Sequence, residues 1–262
     1  MLVEASFALI IGLLLGSFAN VVILRLPKGE SVVKPRSHCP GCKKMVVWYD
    51  NIPVVSWLIL RARCRSCGIK ISWRYPLVEL ITATVFALIV ATYGVSWTTL
   101  EYLIFAWSLV VVSFIDIDHF ILPDVFTLSG ILIGLAGALL NSERGFWPSL
   151  GGVLLGGGFL WLIAYLYLLV RREEGMGGGD IKLLAWMGAV LGWTAVPFII
   201  IVASILGSIL GLMLTFRSKA GLKSVIPFGP YLAFAAILYI LSGEALSLWY
   251  VSLFLPTFAP VN

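Results

Sequence analysis

Residues 183–214 read LLAWMGAVLGWTAVPFIIIVASILGSILGLML, 32 positions without a charged side chain. A helix crossing a bilayer needs about 20 apolar residues, so this run is too long for one span and short for two. The basic residues around it decide the matter. If the run were one span, Arg217, Lys219 and Lys223 would face away from Arg171, Arg172 and Lys182. If it breaks near Gly192–Pro197, 17 of the 18 Lys and Arg fall on one side, all but Arg144. Lys and Arg mark cytoplasmic loops, so the sequence predicts two helices here. The first is short, from about Ile181 to Trp193, and Asp180 stands just before it.

Working outward, further apolar runs lie at about 5–24, 77–93, 99–115, 125–140, 149–170 and 226–241. The expected fold is an all-α polytopic membrane protein with about eight transmembrane helices and a small cytoplasmic domain between spans 1 and 2. The expected divisions are a first transmembrane helix (1–24), a cytoplasmic four-cysteine domain (25–75) and a membrane-embedded domain (76–262). Glu4 precedes the first run, and Arg25 and Lys28 follow it. This charge order predicts a retained span with its N-terminus outside, not a cleaved leader. The stretch 245–258 is either an interfacial tail or a ninth segment. Composition agrees: 60% of residues are hydrophobic and 12% charged, with a mean hydropathy of +1.03. Soluble domains carry about 25% charged residues. A soluble enzyme, a disordered chain and a nucleic-acid binder resting on basic charge are excluded. Small-xxx-small pairs such as Gly12/Gly16, Gly152/Gly156 and Gly188/Gly192 are read as helix packing.

All four cysteines lie in 25–75, as Cys39-Pro-Gly-Cys42 and Cys64-Arg-Ser-Cys67. Two C-x-x-C pairs offer the four-sulfur set that zinc prefers. Two disulfides or four unrelated thiols are the alternatives, and a reducing cytoplasm disfavours disulfides. A closed Cys39, Cys42, Cys64, Cys67 site is structural, and zinc would supply folding energy that so small a domain lacks. The domain's basic residues are expected to face membrane lipid or an acidic partner.

Asp116, Asp118, Asp124, Asp180 and Glu79 stand at or inside span ends, where ionisable groups are costly and are functional candidates by default. The topology puts Asp116 and Asp180 on one face of the membrane. Two carboxylates held close cannot both ionise cheaply, so one keeps its proton while the other serves as base toward a shared water. Against this stands a structural role: pairing with Arg171, Arg172 or Lys182, or helix capping, for which Asp180 and Asp124 are well placed. The segment Gly175-Met176-Gly177-Gly178-Gly179-Asp180 is nearly free of side chains and would let an extended backbone approach the acid.

The chain resembles the bacterial bifunctional type IV prepilin peptidases over nearly its whole length. The resemblance rests on Gly16–Pro27, the two cysteine pairs with Asn51–Trp57 between them, Ile71–Glu79, Asp116–Asp124, Gly177-Gly178-Gly179-Asp180 and Ile226–Tyr231. It implies a G-x-G-D aspartic peptidase whose catalytic pair is Asp116 and Asp180. It implies cleavage of type IV prepilins or pseudopilins at the cytoplasmic face of the inner membrane, after the glycine ending a basic leader. It further implies methylation of the new N-terminus with S-adenosylmethionine. No dinucleotide-type glycine fingerprint follows a strand pattern, so a methyl-donor site would arise from the cysteine domain and adjacent span ends. Gly177, Gly179, Glu79, Arg74 and Asn20 are the candidate substrate or cofactor contacts, with helix-end roles the alternative for the last three. The alternatives to the bifunctional reading are a peptidase without methylation and a proton-coupled transporter.

Overall fold

The structure is a computed structural model describing residues 2–141, 144–173, 177–217 and 226–243. The described residues form nine α-helices: α1 (Leu2–Arg25), α2 (Val55–Ile59), α3 (Arg74–Tyr93), α4 (Trp97–His119), α5 (Asp124–Leu140), α6 (Phe146–Arg171), α7 (Gly178–Leu191), α8 (Ala195–Arg217) and α9 (Gly229–Leu238). Five are long and apolar enough to cross a membrane: Leu2–Lys28, Arg74–Tyr93, Trp97–His119, Phe146–Arg171 and Ala195–Met213. Asp124–Leu140 and Gly229–Gly243 are shorter apolar helices. The stretch 245–258 lies outside the described residues, as do Gly175 and Met176.

The uncharged run divides where the charges predicted. Helix α7 stops at Gly192, whose φ of 81° lies in the left-handed region, and α8 starts three residues later. Helix α7 has 14 residues, about 21 Å at 1.5 Å per residue. It starts earlier than expected. Gly177 is its N-cap residue, so Asp180 lies inside the first turn and does not cap the helix. Gly177 is extended (φ −69°, ψ 138°), and glycine is an accepted residue at an N-cap.

The chain divides into two compact units, Met1–Ile115 and Asp116–Asn262, with the boundary inside α4. In the first unit α1 and α3 pack closely. A Cβ at Gly12 would sit 2.6 Å from the Ala83 Cα, and one at Gly16 would sit 2.7 Å from the Glu79 Cα. The small-xxx-small pair therefore sets the approach of the two helices. Trp107 of α4 stacks on Phe18 at 5.9 Å and donates its indole N–H to the Leu15 carbonyl at 2.9 Å.

In the second unit the same device recurs on different helices. Gly152 of α6 and Gly188 of α7 meet backbone to backbone, so that a Cβ on either would collide with the other. Leu183, Leu184, Met187 and Ala189 of α7 are fully buried, which makes this short helix the core of its unit. Arg144, the basic residue set apart by the charge count, donates to the Gly134 carbonyl of α5 at 2.6 Å. It also donates to the Ala189 carbonyl in the last turn of α7 at 3.4 Å, as cations do at helix C-termini.

Candidate functional site

The cysteine segment builds one local turn twice. Cys39 N–H donates to the Lys44 carbonyl at 2.9 Å and Lys43 N–H to the Cys39 carbonyl at 2.9 Å. Twenty-five residues on, Cys64 N–H donates to the Ile69 carbonyl and Gly68 N–H to the Cys64 carbonyl, both at 2.9 Å. Antiparallel bridges His38 to Met45 and Arg63 to Lys70 close the two turns. Each needs a left-handed residue, Lys43 in one (φ 60°) and Gly68 in the other (φ 71°). The four Sγ atoms converge within 4.8 Å of one another, with Cys39 and Cys67 3.7 Å apart, and none is in a disulfide. The Cys39 thiol is lowered to about 6, chiefly by backbone N–H donation at Cys42. This cluster could hold a metal ion. His38 stays outside it and is exposed.

The contact candidates of the first unit are placed as follows. Asn20 is buried and donates to the Gly16 carbonyl at 3.3 Å and the Tyr75 carbonyl at 3.1 Å. Arg74 donates to the Phe114 carbonyl at 3.0 Å, with its guanidinium 5.0 Å over the Phe114 ring. Glu79 is buried. Its Oε2 accepts the Val54 N–H at 2.7 Å, and the Ser17 hydroxyl is a second partner. Val54 itself has φ 60° and ψ −50°.

The acid pair belongs to the second unit. Asp116 is 5% exposed, and its Oδ2 accepts the Gly229 N–H at 3.0 Å. Asp180 is half-buried, with Asp116 within electrostatic reach. Leu122, on the turn after α4, lies against both glycine segments. A Cβ at Gly179 would meet the Leu122 Cβ at 3.1 Å, and one at Gly229 would meet Asp116 Oδ2 at 2.7 Å and Leu122 Cδ2 at 3.2 Å. Gly177 is exposed. Asp118 and Asp124 are exposed, and Asp124 pairs with Lys182. Asp124 is the first residue of α5, with Pro123 in the capping position. The segment Ile226–Tyr231 was legible as a motif, but the donor role of Gly229 was not, because it acts across 113 residues of chain.

Apolar helices long enough to span a membrane, a four-thiol cluster and a buried acid with a second acid in reach, all among the described residues, define a narrow class. The chain belongs to the type IV leader peptidase family. The family model described as "Type IV leader peptidase family" matches residues 103–212, and that described as "Bacterial Peptidase A24 N-terminal domain" matches residues 10–93. A prepilin leader peptidase/N-methyltransferase of Aeromonas hydrophila is 38% identical over 278 residues, covering 95% of this chain and 94% of its own. Proteins of the same name are 37% identical in Stutzerimonas stutzeri (93% of this chain, 92% of its own). The same identity holds in Pseudomonas aeruginosa (93% and 92%). No solved structure matches the chain.

Proposed function

We propose that this protein is a bifunctional enzyme of the bacterial inner membrane. It cleaves the leader of type IV prepilins or pseudopilins at the cytoplasmic face and methylates the N-terminus so exposed. Eight helices, α1 and α3–α9, cross the bilayer, with the N-terminus outside and segment 25–75 in the cytoplasm. The observation that carries the peptidase reading is the Asp116–Asp180 juxtaposition on α4 and α7 beside two glycine segments.

Two nearby carboxylates share a proton. The ionised one takes a proton from water as the water attacks the scissile carbonyl, and the protonated one donates to that carbonyl oxygen. Collapse of the tetrahedral species breaks the C–N bond, with a proton passing to the leaving amine. Asp116 is fixed by the Gly229 N–H. Asp180, in the first turn of α7, is the more accessible partner. Gly177, with open space around it, leaves room for the extended substrate, while Gly179 lets the start of α7 pack against Leu122. The substrate's basic leader suits an acidic site at a membrane surface.

Zinc fits the cysteine cluster. A tetrahedral site with Zn–S bonds of about 2.3 Å has sulfur–sulfur edges of about 3.8 Å, close to the Cys39–Cys67 separation. Bound there, it would tie the two turns together and stabilise the small module. S-adenosylmethionine, when bound, supplies the methyl group for the new amine. Asn20, Arg74 and Glu79 serve that half of the reaction by ordering the first unit. The test is the mass of the pilin after incubation with purified protein and S-adenosylmethionine. The expected product lacks its leader and carries one added methyl group. A cut but unmethylated product would reduce the protein to a peptidase, and an uncut one would remove the assignment.

A further inference from the structure

The first unit holds a strained turn that the peptidase does not use. Val54 has φ 60° and ψ −50°, and the Val55 N–H closes onto the Pro53 carbonyl at 2.5 Å. This is a γ-turn of the rare, strained hand. A β-branched residue there is a steric outlier, and such strain persists only where its surroundings enforce it, often at ligand clamps. The enforcing group is the buried Glu79 carboxylate on the Val54 N–H. The three residues before Val54 are Asn51, Ile52 and Pro53. With Leu14 of α1 and with Arg36, Ser37, Val46 and Trp48 they line a cavity of about 370 Å³. That volume falls in the range of small-molecule sites, which are mostly apolar with a few placed polar groups. Trp48 is 73% exposed, so its ring is available to a ligand.

We propose that this cavity takes the adenosyl methyl donor and that Glu79 is the positioning residue for it. The inference rests on the bifunctional reading above. Trp48 offers a flat face to an adenine ring or to the sulfonium cation. Arg36 matches the donor's carboxylate. Ser37 and Asn51 carry the hydroxyl and amide groups that suit a ribose. Glu79 does not touch the donor. It holds Val54, and through Val54 it holds the 51–53 wall. Its own hydrogen bond asks only for an acceptor, which a glutamine side chain also supplies.

The test uses the full-length protein in detergent. Binding of S-adenosylhomocysteine is measured by calorimetry, and methylation and cleavage of one prepilin are followed in the same preparation by mass spectrometry. Loss of a base–aromatic stack costs about tenfold or more in affinity. Trp48→Ala is therefore expected to weaken S-adenosylhomocysteine about tenfold or more and raise the donor KM in step, lowering the ratio of methylation to cleavage. Glu79→Leu is expected to do the same and Glu79→Gln to restore the ratio, since Gln keeps the acceptor. Wild-type affinity and donor KM in Trp48→Ala would overturn the cavity assignment while wild-type methylation left the bifunctional reading standing. Failure of Glu79→Gln to restore the ratio would overturn the positioning role. A wild-type protein that cuts prepilin, does not methylate it and binds no S-adenosylhomocysteine would overturn both readings.

Discussion

Glu79 and Asp116 are both buried acids in apolar helices, yet they are held in different ways. Glu79 accepts from the Val54 N–H and has the Ser17 hydroxyl beside it, so its carboxylate is committed to holding a turn. Asp116 accepts the Gly229 N–H and has a second acid, Asp180, within reach. A buried acid with neutral donors and no like charge beside it is a fixture. A buried acid facing another acid has a proton to share. Membrane-embedded acids are therefore best sorted by what they face, not by burial alone.

The largest effect expected from this contrast is on cleavage. Asp116→Asn or Asp180→Asn removes a proton-transfer group and should slow cleavage about 10³-fold or more, with the far-UV spectrum unchanged. Prepilin cleavage in detergent measures it, and near-wild-type rates in either variant would break the contrast. Next comes Gly229→Ala. Its Cβ would meet Asp116 Oδ2 at 2.7 Å, and displacing a reacting group by about 1 Å costs about 10²-fold. The same assay should show the loss in kcat.

A smaller effect on cleavage is expected in the first unit. Cys42→Ser combined with Cys67→Ser should abolish bound zinc, read by metal analysis, and lower methylation more than cleavage. The smallest effect concerns Asp50, held below the usual carboxylate range by its hydrogen bonds from Arg65. A lowered folded-state value stabilises above the unfolded value, about pH 4, and that contribution disappears as pH falls through the lowered one. Arg65→Ala should therefore lower the melting temperature near pH 6 (about two units above that value), and the difference should shrink steadily as pH is taken below about 4. Exposed pairs contribute little, so the shift should be slight.

Much of this contrast was readable in the sequence because membranes make charge scarce. The break at Gly192 followed from the placement of Arg171, Arg172, Lys182 and Arg217, and the four cysteines converged as their spacing required. What was not readable depended on tertiary contact. Val54 belongs by propensity to an extended strand, and only Glu79, 25 residues away, makes its turn tenable. The position of Asp180 inside α7 escaped because an aspartate is a stronger cap signal than the glycines before it, whereas the helix starts from Gly177. The Gly229 N–H on Asp116 joins residues that only folding brings together. The 25-residue repeat of the cysteine turns was present in the spacing of Cys39 and Cys64, but the intervening residues share too little to announce it.

With cleavage assigned to the acid pair of the second unit and methyl transfer to the first, the most direct measurement asks Asp180→Asn to do each separately. The variant is incubated with S-adenosylmethionine and either an intact prepilin or a pilin peptide that already begins at its mature N-terminus, and the products are weighed. The prepilin should remain uncut while the peptide gains one methyl group. A cut prepilin, or a peptide left unmethylated by a variant whose wild-type parent methylates it, would contradict the division.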